Sequence, residues 1–384
     1  MGEGTRMESR TGRLDVLMDV AEVSQPTLDV CYLASCAVRG EVPDAGRISS
    51  MDLGAVYALS CAHLLVSACA TALESAGVFD ERFVQEWGKA VRKTAVMDAE
   101  RARLFSLMDA AGIWHVPLKG CVLEGLYPAY GMRQMSDNDI LFDAKYAEEV
   151  RDMMLSLGFT CEHFDKGAHD VYFKEPVCNF ELHRMLFAKT YDERTYAYYA
   201  DAERLFVADG EGTYGMHFSD EDFYVYLMAH AKKHFSSGGT GLRILFDTYV
   251  YVRERADAMD WGYVTGELLK LGLTEFEGTC RDVAVRLIDG GELLPEDLEM
   301  LRYLADSGAY GTTGHRIANE IARRGRLGYF FHRVFMPYET MKTLYPVLDR
   351  VPILLPACWV LRLGKGALVK REKVSAELKA LLRQ

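Results

Sequence analysis

Leu118-Lys119-Gly120, Leu126-Tyr127-Pro128, Gly131-Met132-Arg133, Ser136-Asp137-Asn138-Asp139 and, further on, Glu181-Leu182-His183 are the segments on which the fold of this 384-residue chain turns. Ile113 to Leu118 is a short apolar run broken by Lys119-Gly120, the pattern of a strand entering a tight turn. Cys121 to Tyr127 has the apolar spacing of a short helix, and Pro128 ends it. Asp137 to Phe142 predicts a second strand, on which alternation puts Asp137 and Asp139 on one face and Asn138 on the other. Lys145 to Leu157 predicts a helix stopped by Gly158, with strands at Phe159 to His163, Asp170 to Lys174 and Val177 to His183. In the last strand Glu181 shares a face with Asn179 and His183, and Phe180 and Leu182 take the other.

A carboxylate in the middle of a buried strand is costly unless it is paired or binds a metal. Mg²⁺ takes oxygen ligands and is held by one or two carboxylates together with substrate phosphates. If the Glu181 strand lies beside the Asp137 strand, Asp137, Asp139 and Glu181 make a two-metal site for in-line displacement at phosphorus. Plainer readings stand beside this one. Asp-x-Asp alone is common on solvated loops, and Glu181 could be a buried acid paired with His183 or Arg184.

These residues resemble the nucleotidyltransferase superfamily related to DNA polymerase beta, which has a Gly-containing turn after its first strand, an Asp-x-Asp strand and a third acid on a later strand. The closer resemblance is to an uncharacterised bacterial nucleotidyltransferase family with Leu-Lys-Gly, Leu-Tyr-Pro, Gly-x-Arg, Asp-x-Asp and acid-Leu-His in that order. The resemblance implies Mg²⁺- or Mn²⁺-dependent transfer of a nucleoside monophosphate from a nucleoside triphosphate, ATP-binding included, to a hydroxyl acceptor. It makes Asp137, Asp139 and Glu181 the catalytic metal ligands. Lys119, Gly120, Arg133 and Ser136 become the nucleotide-binding set, with Lys119 a point charge near the phosphates and Arg133 a fork suited to them. A structural salt bridge from Arg133 to Asp137 or Asp139 is the alternative. The chain departs from the wider superfamily in carrying Gly120-Cys121 where Gly-Ser is usual, and Glu181 where Asp is commoner. The acceptor is left open among a small molecule, a protein and an RNA end. A noncatalytic nucleotide-binding module and a toxin-like enzyme modifying tRNA are the competing readings.

The net charge of −12 lacks the basic footprint that long nucleic acids require, so no extended nucleic-acid binding is expected. Arg323-Arg324-Arg326 and Lys365 to Lys373 could line a local basic groove, although solvated helix faces explain them as well. No apolar run is long enough to cross a bilayer, and Met1 to Asp15 is charged rather than signal-like, which predicts a cytoplasmic protein. Nine cysteines without a Cys-x-x-Cys pair indicate neither a disulfide framework nor a zinc ribbon.

The flanks read as helical: Met51 to Ala76 with Gly77 as a stop, then a long amphipathic segment over Asp80 to Ala111. Residues 1 to 50 are weakly patterned, and Gly2 to Arg13 is expected to fray. Ser219 is a credible N-cap for a helix carrying His230 and His234 on one face. The glutamate of a zinc-protease His-Glu-x-x-His motif is absent there, so packing or substrate lining is preferred over zinc. His183, His230, His234 and Arg243 are the candidate substrate-lining residues, and Arg243 with Asp247 has the four-residue spacing of a helical salt bridge. Ser236 to Gly241 lacks the ending of a phosphate loop and reads as a flexible interhelical turn. Val351 to Leu361 reads as buried, with peripheral membrane or partner docking as the alternative. Together these features predict an α+β protein: a small mixed β-sheet core at 111–188, an N-terminal helical region at 1–110 and a mainly helical C-terminal region at 189–384.

Overall fold

The computed structural model describes residues 23–165 and 167–369. Gly2 to Arg13 and the basic residues from Lys370 on lie outside them. The N-terminal flank is α1 (Gln25–Arg39), α2 (Ala45–Ser49), α3 (Leu53–Ala62), α4 (Val66–Ser75) and α5 (Glu81–Ala111). The weakly patterned segment before residue 50 thus holds a full helix, α1, capped by the Ser24 side chain and closed by a left-handed Gly40. The single helix expected over 51–76 is two, parted at Leu64, whose φ is 56°.

The sheet comes next: β1 (His115–Pro117), α6 (Gly120–Leu123), β2 (Asn138–Phe142), α7 (Ala147–Ser156), β3 (Thr160–His163), β4 (His169–Lys174) and β5 (Cys178–His183). Its strand order is β1-β2-β5-β4-β3, with β2 and β5 parallel and the other neighbours antiparallel. This is the mixed sheet of an α+β protein, as the alternation predicts. One face buries Ile140, Phe142, Tyr172, Phe180 and Leu182 against Met97, Leu104 and Met108 of α5 and Val150 and Met154 of α7. Asp139, Leu141, Glu181 and His183 belong to the opposite face, because alternate side chains leave a strand on opposite sides.

The C-terminal flank begins with α8 (Glu193–Tyr199) and a hairpin of β6 (Phe206–Ala208) and β7 (Met216–Phe218) that the periodicity did not reveal. Helices α9 (Asp220–Ser237), α10 (Arg243–Arg255), α11 (Trp261–Leu271), α12 (Thr274–Ile288) and α13 (Pro295–Ser307) follow. Ser219 caps α9 as expected, accepting from the Asp222 amide. Phe223, Tyr226 and Leu227 of α9 share a core with Leu118 and Leu141 and so cover the carboxylate-bearing face of the sheet.

Helices on either side of the sheet in sequence share one core: Val30, Leu33 and Leu73 from the N-terminal flank pack with Leu245, Val283 and Leu301. The Ser236–Gly241 turn is tightly packed rather than loose. A Cβ on Gly239 would stand 2.1 Å from the Ser307 hydroxyl, and the Gly239 φ is +92°.

The chain continues through α14 (Thr313–Val334), α15 (Tyr338–Leu344) and α16 (Leu355–Val369) around a small core of Met341, Leu348 and Cys358. Here the sequence expectation is corrected: within Val351 to Leu361 only Cys358 is buried, and Ile353 is 85% exposed. Pro352 opens a short turn, and the small local core has room for few of the segment's apolar side chains. Among the described residues no helix is long and apolar enough to cross a membrane.

Candidate active site

Strand register brings the acids together. In the parallel β2–β5 pair Asp139 stands opposite Glu181, so two carboxylates about one strand spacing apart face the same side. Asp139 is 2% exposed, and its Oδ1 accepts from Lys119 Nζ at 2.6 Å and from His183 Nε2 at 2.8 Å. Burial alone would raise the Asp139 carboxyl, but Lys119 and His183 outweigh it and hold it below its usual range. Asp137, one residue before β2, is pushed up to about 6 by burial and by the neighbouring Asp139 charge. Glu181 is pushed up to about 7 by burial, then by Asp139 and Asp137. The cluster thus holds more negative charge than Lys119 neutralises.

Lys119 is aimed by its backbone. Its φ of 48° is rare for a residue with a side chain and turns the ammonium from the end of β1 onto Asp139. Burial would lower this ammonium, yet Asp139, Tyr226 and Glu181 keep it above its usual value. Gly120 is small for a packing reason: a Cβ there would lie 2.6 Å from Arg133 Nη1 and 2.9 Å from Met135 Sδ. Cys121, which stands where the superfamily has serine, turns its thiol to Asn138 Oδ1 at 3.4 Å. Asn138 also accepts from Arg101 and donates to the Met97 carbonyl at 3.1 Å, which ties β2 to α5 behind the acids.

Helix α9 supplies the facing wall. Tyr226, His230, Lys233 and His234 recur at helical spacing on one side. The two imidazoles meet at 3.0 Å between their Nε2 atoms, a contact to each other. His230 is held well below its usual value by burial and by the charges of Lys119, His234 and Lys233. The Lys233 ammonium is lowered by burial and by Lys119, opposed by Glu181 and Asp139. Lys233 is a cation of the site that the sequence reading missed, although its place three residues after His230 carried the signal. His169 was missed as well: it lies opposite His183 in the β4–β5 register, their rings 5.0 Å apart, with Nε2 3.8 Å from Glu181.

Other motif residues converge elsewhere. Arg133 is 5% exposed and donates through Nε and Nη2 to the two oxygens of Asp247 on α10, at 2.7 and 2.9 Å. Tyr127 of the Leu-Tyr-Pro motif donates to the same carboxylate at 2.8 Å. The fork expected at phosphate is therefore engaged by Asp247, and neither Asp137 nor Asp139 is its structural partner. Arg243 is a longer contact of Asp247, at 3.8 Å, and donates to the Gln134 carbonyl at 2.8 Å. It lies near enough to Asp137 to lower that carboxyl. Ser136 contributes its carbonyl to Lys93 at 2.8 Å, and its hydroxyl lies 3.4 Å from that of Tyr310. Asp137, Asp139, Glu181, Lys119 and His183 form one cluster with His230 and Lys233 against it, and His234 stands at its exposed rim.

No curated protein and no solved structure matches the chain. A family model described as an uncharacterised nucleotidyltransferase matches residues 49–289, which take in the sheet, the carboxylate cluster and helices α9 to α12. The chain belongs to that nucleotidyltransferase family.

Proposed function

We propose that the protein transfers a nucleoside monophosphate from a nucleoside triphosphate to a hydroxyl acceptor, with Asp137, Asp139 and Glu181 holding Mg²⁺ or Mn²⁺. The observation that carries this reading is the crowding of three carboxylates on one sheet face with Lys119 as their closest cation. All three acids offer oxygen donors, and burial followed by mutual repulsion pushes Asp137 and Glu181 up, a cost that a divalent cation would offset. A bound divalent ion would supply charge neutralisation at the transferring phosphoryl group and orientation of the acceptor oxygen.

The protein's own groups divide the remaining work. Lys119 and Lys233 present positive charge to a triphosphate, and the half-buried His230, whose value is held well below the usual one, can hydrogen-bond without adding charge. Glu181, opposite Asp139 on the same face, would orient or deprotonate the acceptor hydroxyl. His183 Nε2 lies 2.8 Å from Asp139 Oδ1, so the imidazole borders the carboxylate that would hold the ion. The free state of all nine cysteines accords with a cytoplasmic setting, where nucleoside triphosphates are present.

Calorimetry with each nucleoside triphosphate, with and without Mg²⁺, tests this reading on the intact chain and an Asp137→Asn, Asp139→Asn double variant. Metal-dependent binding that the double variant loses is the expected result. Absence of binding for every nucleotide under both conditions would overturn it.

A further inference from the structure

We infer that Asp139, His169, Glu181 and His183 form a mixed nitrogen and oxygen site that takes a divalent first-row transition ion in preference to Mg²⁺. The scaffold is three adjacent strands. Register sets Asp139 opposite Glu181 across β2–β5 and His183 opposite His169 across β4–β5. Two-residue alternation then puts all four side chains on one face, so their convergence follows from backbone pairing rather than from a flexible loop.

The spacings suit a single ion. His183 Nε2 is 2.8 Å from Asp139 Oδ1 and 3.7 Å from Glu181 Oε2, and His169 Nε2 is 3.8 Å from the same Glu181 oxygen. One donor atom from each of His169, Glu181 and His183 falls within 4.8 Å of the others. Donors bound about 2.1 Å from one ion stand about 3 to 4 Å from one another, the range of the three contacts above. Two imidazoles distinguish this set from an all-oxygen one. Mg²⁺ favours carboxylates and water, whereas imidazole suits Zn²⁺ and other transition ions, and Mn²⁺ accepts both kinds of ligand.

Lys119 and His183 both lie within hydrogen-bond distance of Asp139 Oδ1, and Lys119 places its positive charge there. The other His183 nitrogen, Nδ1, is buried without a partner, so no second hydrogen bond fixes the ring's tautomer. The proton can sit on Nε2 and bond Asp139, or on Nδ1 and leave the Nε2 lone pair for an ion. The inference concerns the metal choice of the proposed transfer site, and it stands or falls without nucleotide.

Mn²⁺ alone, added to the full chain, is the probe, read by calorimetry and by pulsed electron paramagnetic resonance. Expected are nitrogen-14 modulation from directly bound imidazole and Mn²⁺ binding at least about tenfold tighter than Mg²⁺. His169 is partly exposed, so His169→Ala should fold, and it should weaken Mn²⁺ by about tenfold or more and diminish the nitrogen signal. Mn²⁺ bound without nitrogen modulation, equal affinity for the two ions, indifference to His169→Ala, or no Mn²⁺ binding would each overturn the inference. A nitrogen signal in a protein that binds no nucleoside triphosphate would sustain the metal site and overturn the transfer reaction alone.

Discussion

Arg133 and Asp247, 114 positions apart in sequence, form a two-pronged buried ion pair that fastens the loop before β2 to α10. Both side chains are under a tenth exposed, and Tyr127 adds a third bond to the same carboxylate. Removing one partner of such a pair leaves an uncompensated buried charge, which costs about 3–5 kcal/mol. Asp247→Ala should therefore lower the urea midpoint steeply, and Arg133→Lys, which keeps the charge but loses the fork, should fall between it and the parent. A midpoint within error of the parent for Asp247→Ala would contradict the structural role.

Gly120 depends on that pair. A methyl group there meets Arg133 Nη1 at 2.6 Å, and Arg133 cannot swing aside while Asp247 holds it. Gly120→Ala should cost about 1–3 kcal/mol through overpacking. In a double-mutant cycle the cost should shrink once Asp247 is replaced, because the arginine is then released. Strict additivity of the two changes would refute the coupling.

Lys119 carries backbone strain and charge at once, and two substitutions separate them. Lys119→Ala and Lys119→Gly both delete the ammonium bonded to Asp139, but only glycine adopts a φ of 48° freely. The glycine variant should be about 1 kcal/mol more stable than the alanine variant, with nucleotide affinity reduced alike in both. Thermal unfolding and calorimetry read the two effects independently.

Acidity offers a fourth test. Glu181 and Asp137 have folded values raised to about 7 and about 6, so the fold favours their protonated forms. Their contribution to stability is fully present below the ordinary carboxylate range and is lost as pH climbs through 6 and 7. Metal-free protein should lose melting temperature over that interval, and Glu181→Gln should flatten the decline. Added divalent cation should raise the melting temperature more at pH 8 than at pH 5, since protons and metal compete for the same oxygens. An equal shift at both values would rule out metal binding at these acids.

The sequence disclosed what short-range periodicity encodes. Alternation through Asp137-Asn138-Asp139 and around Glu181 gave the two faces of β2 and β5, and Ser219 marked the start of α9. Contacts made across the fold were not legible in this way. Nothing local to Arg133 points to Asp247, because a salt bridge spanning 114 positions leaves no spacing to read. His169 is an isolated histidine until β4 pairs with β5, and the small side of Gly120 resembles a phosphate turn until Arg133 is seen against it. The β6–β7 hairpin is three residues per strand, too short for alternation to register.

Helix α5 runs unbroken for 31 residues, with Phe83 near its start in the helical core and Met97, Leu104 and Met108 beneath the sheet. About 46 Å of continuous helix thus splices two cores into one mechanical member. The five-stranded sheet is consequently not an excisable module. Cutting the chain at residue 111 would strip the floor from beneath β2 and β5 and sever the Asn138 tether to Met97. Insertions that diversify such a protein would be tolerated at the rim of the sheet, whereas α5 would admit none without shifting β2, which Asn138 ties to Met97 and Arg101 midway along the helix.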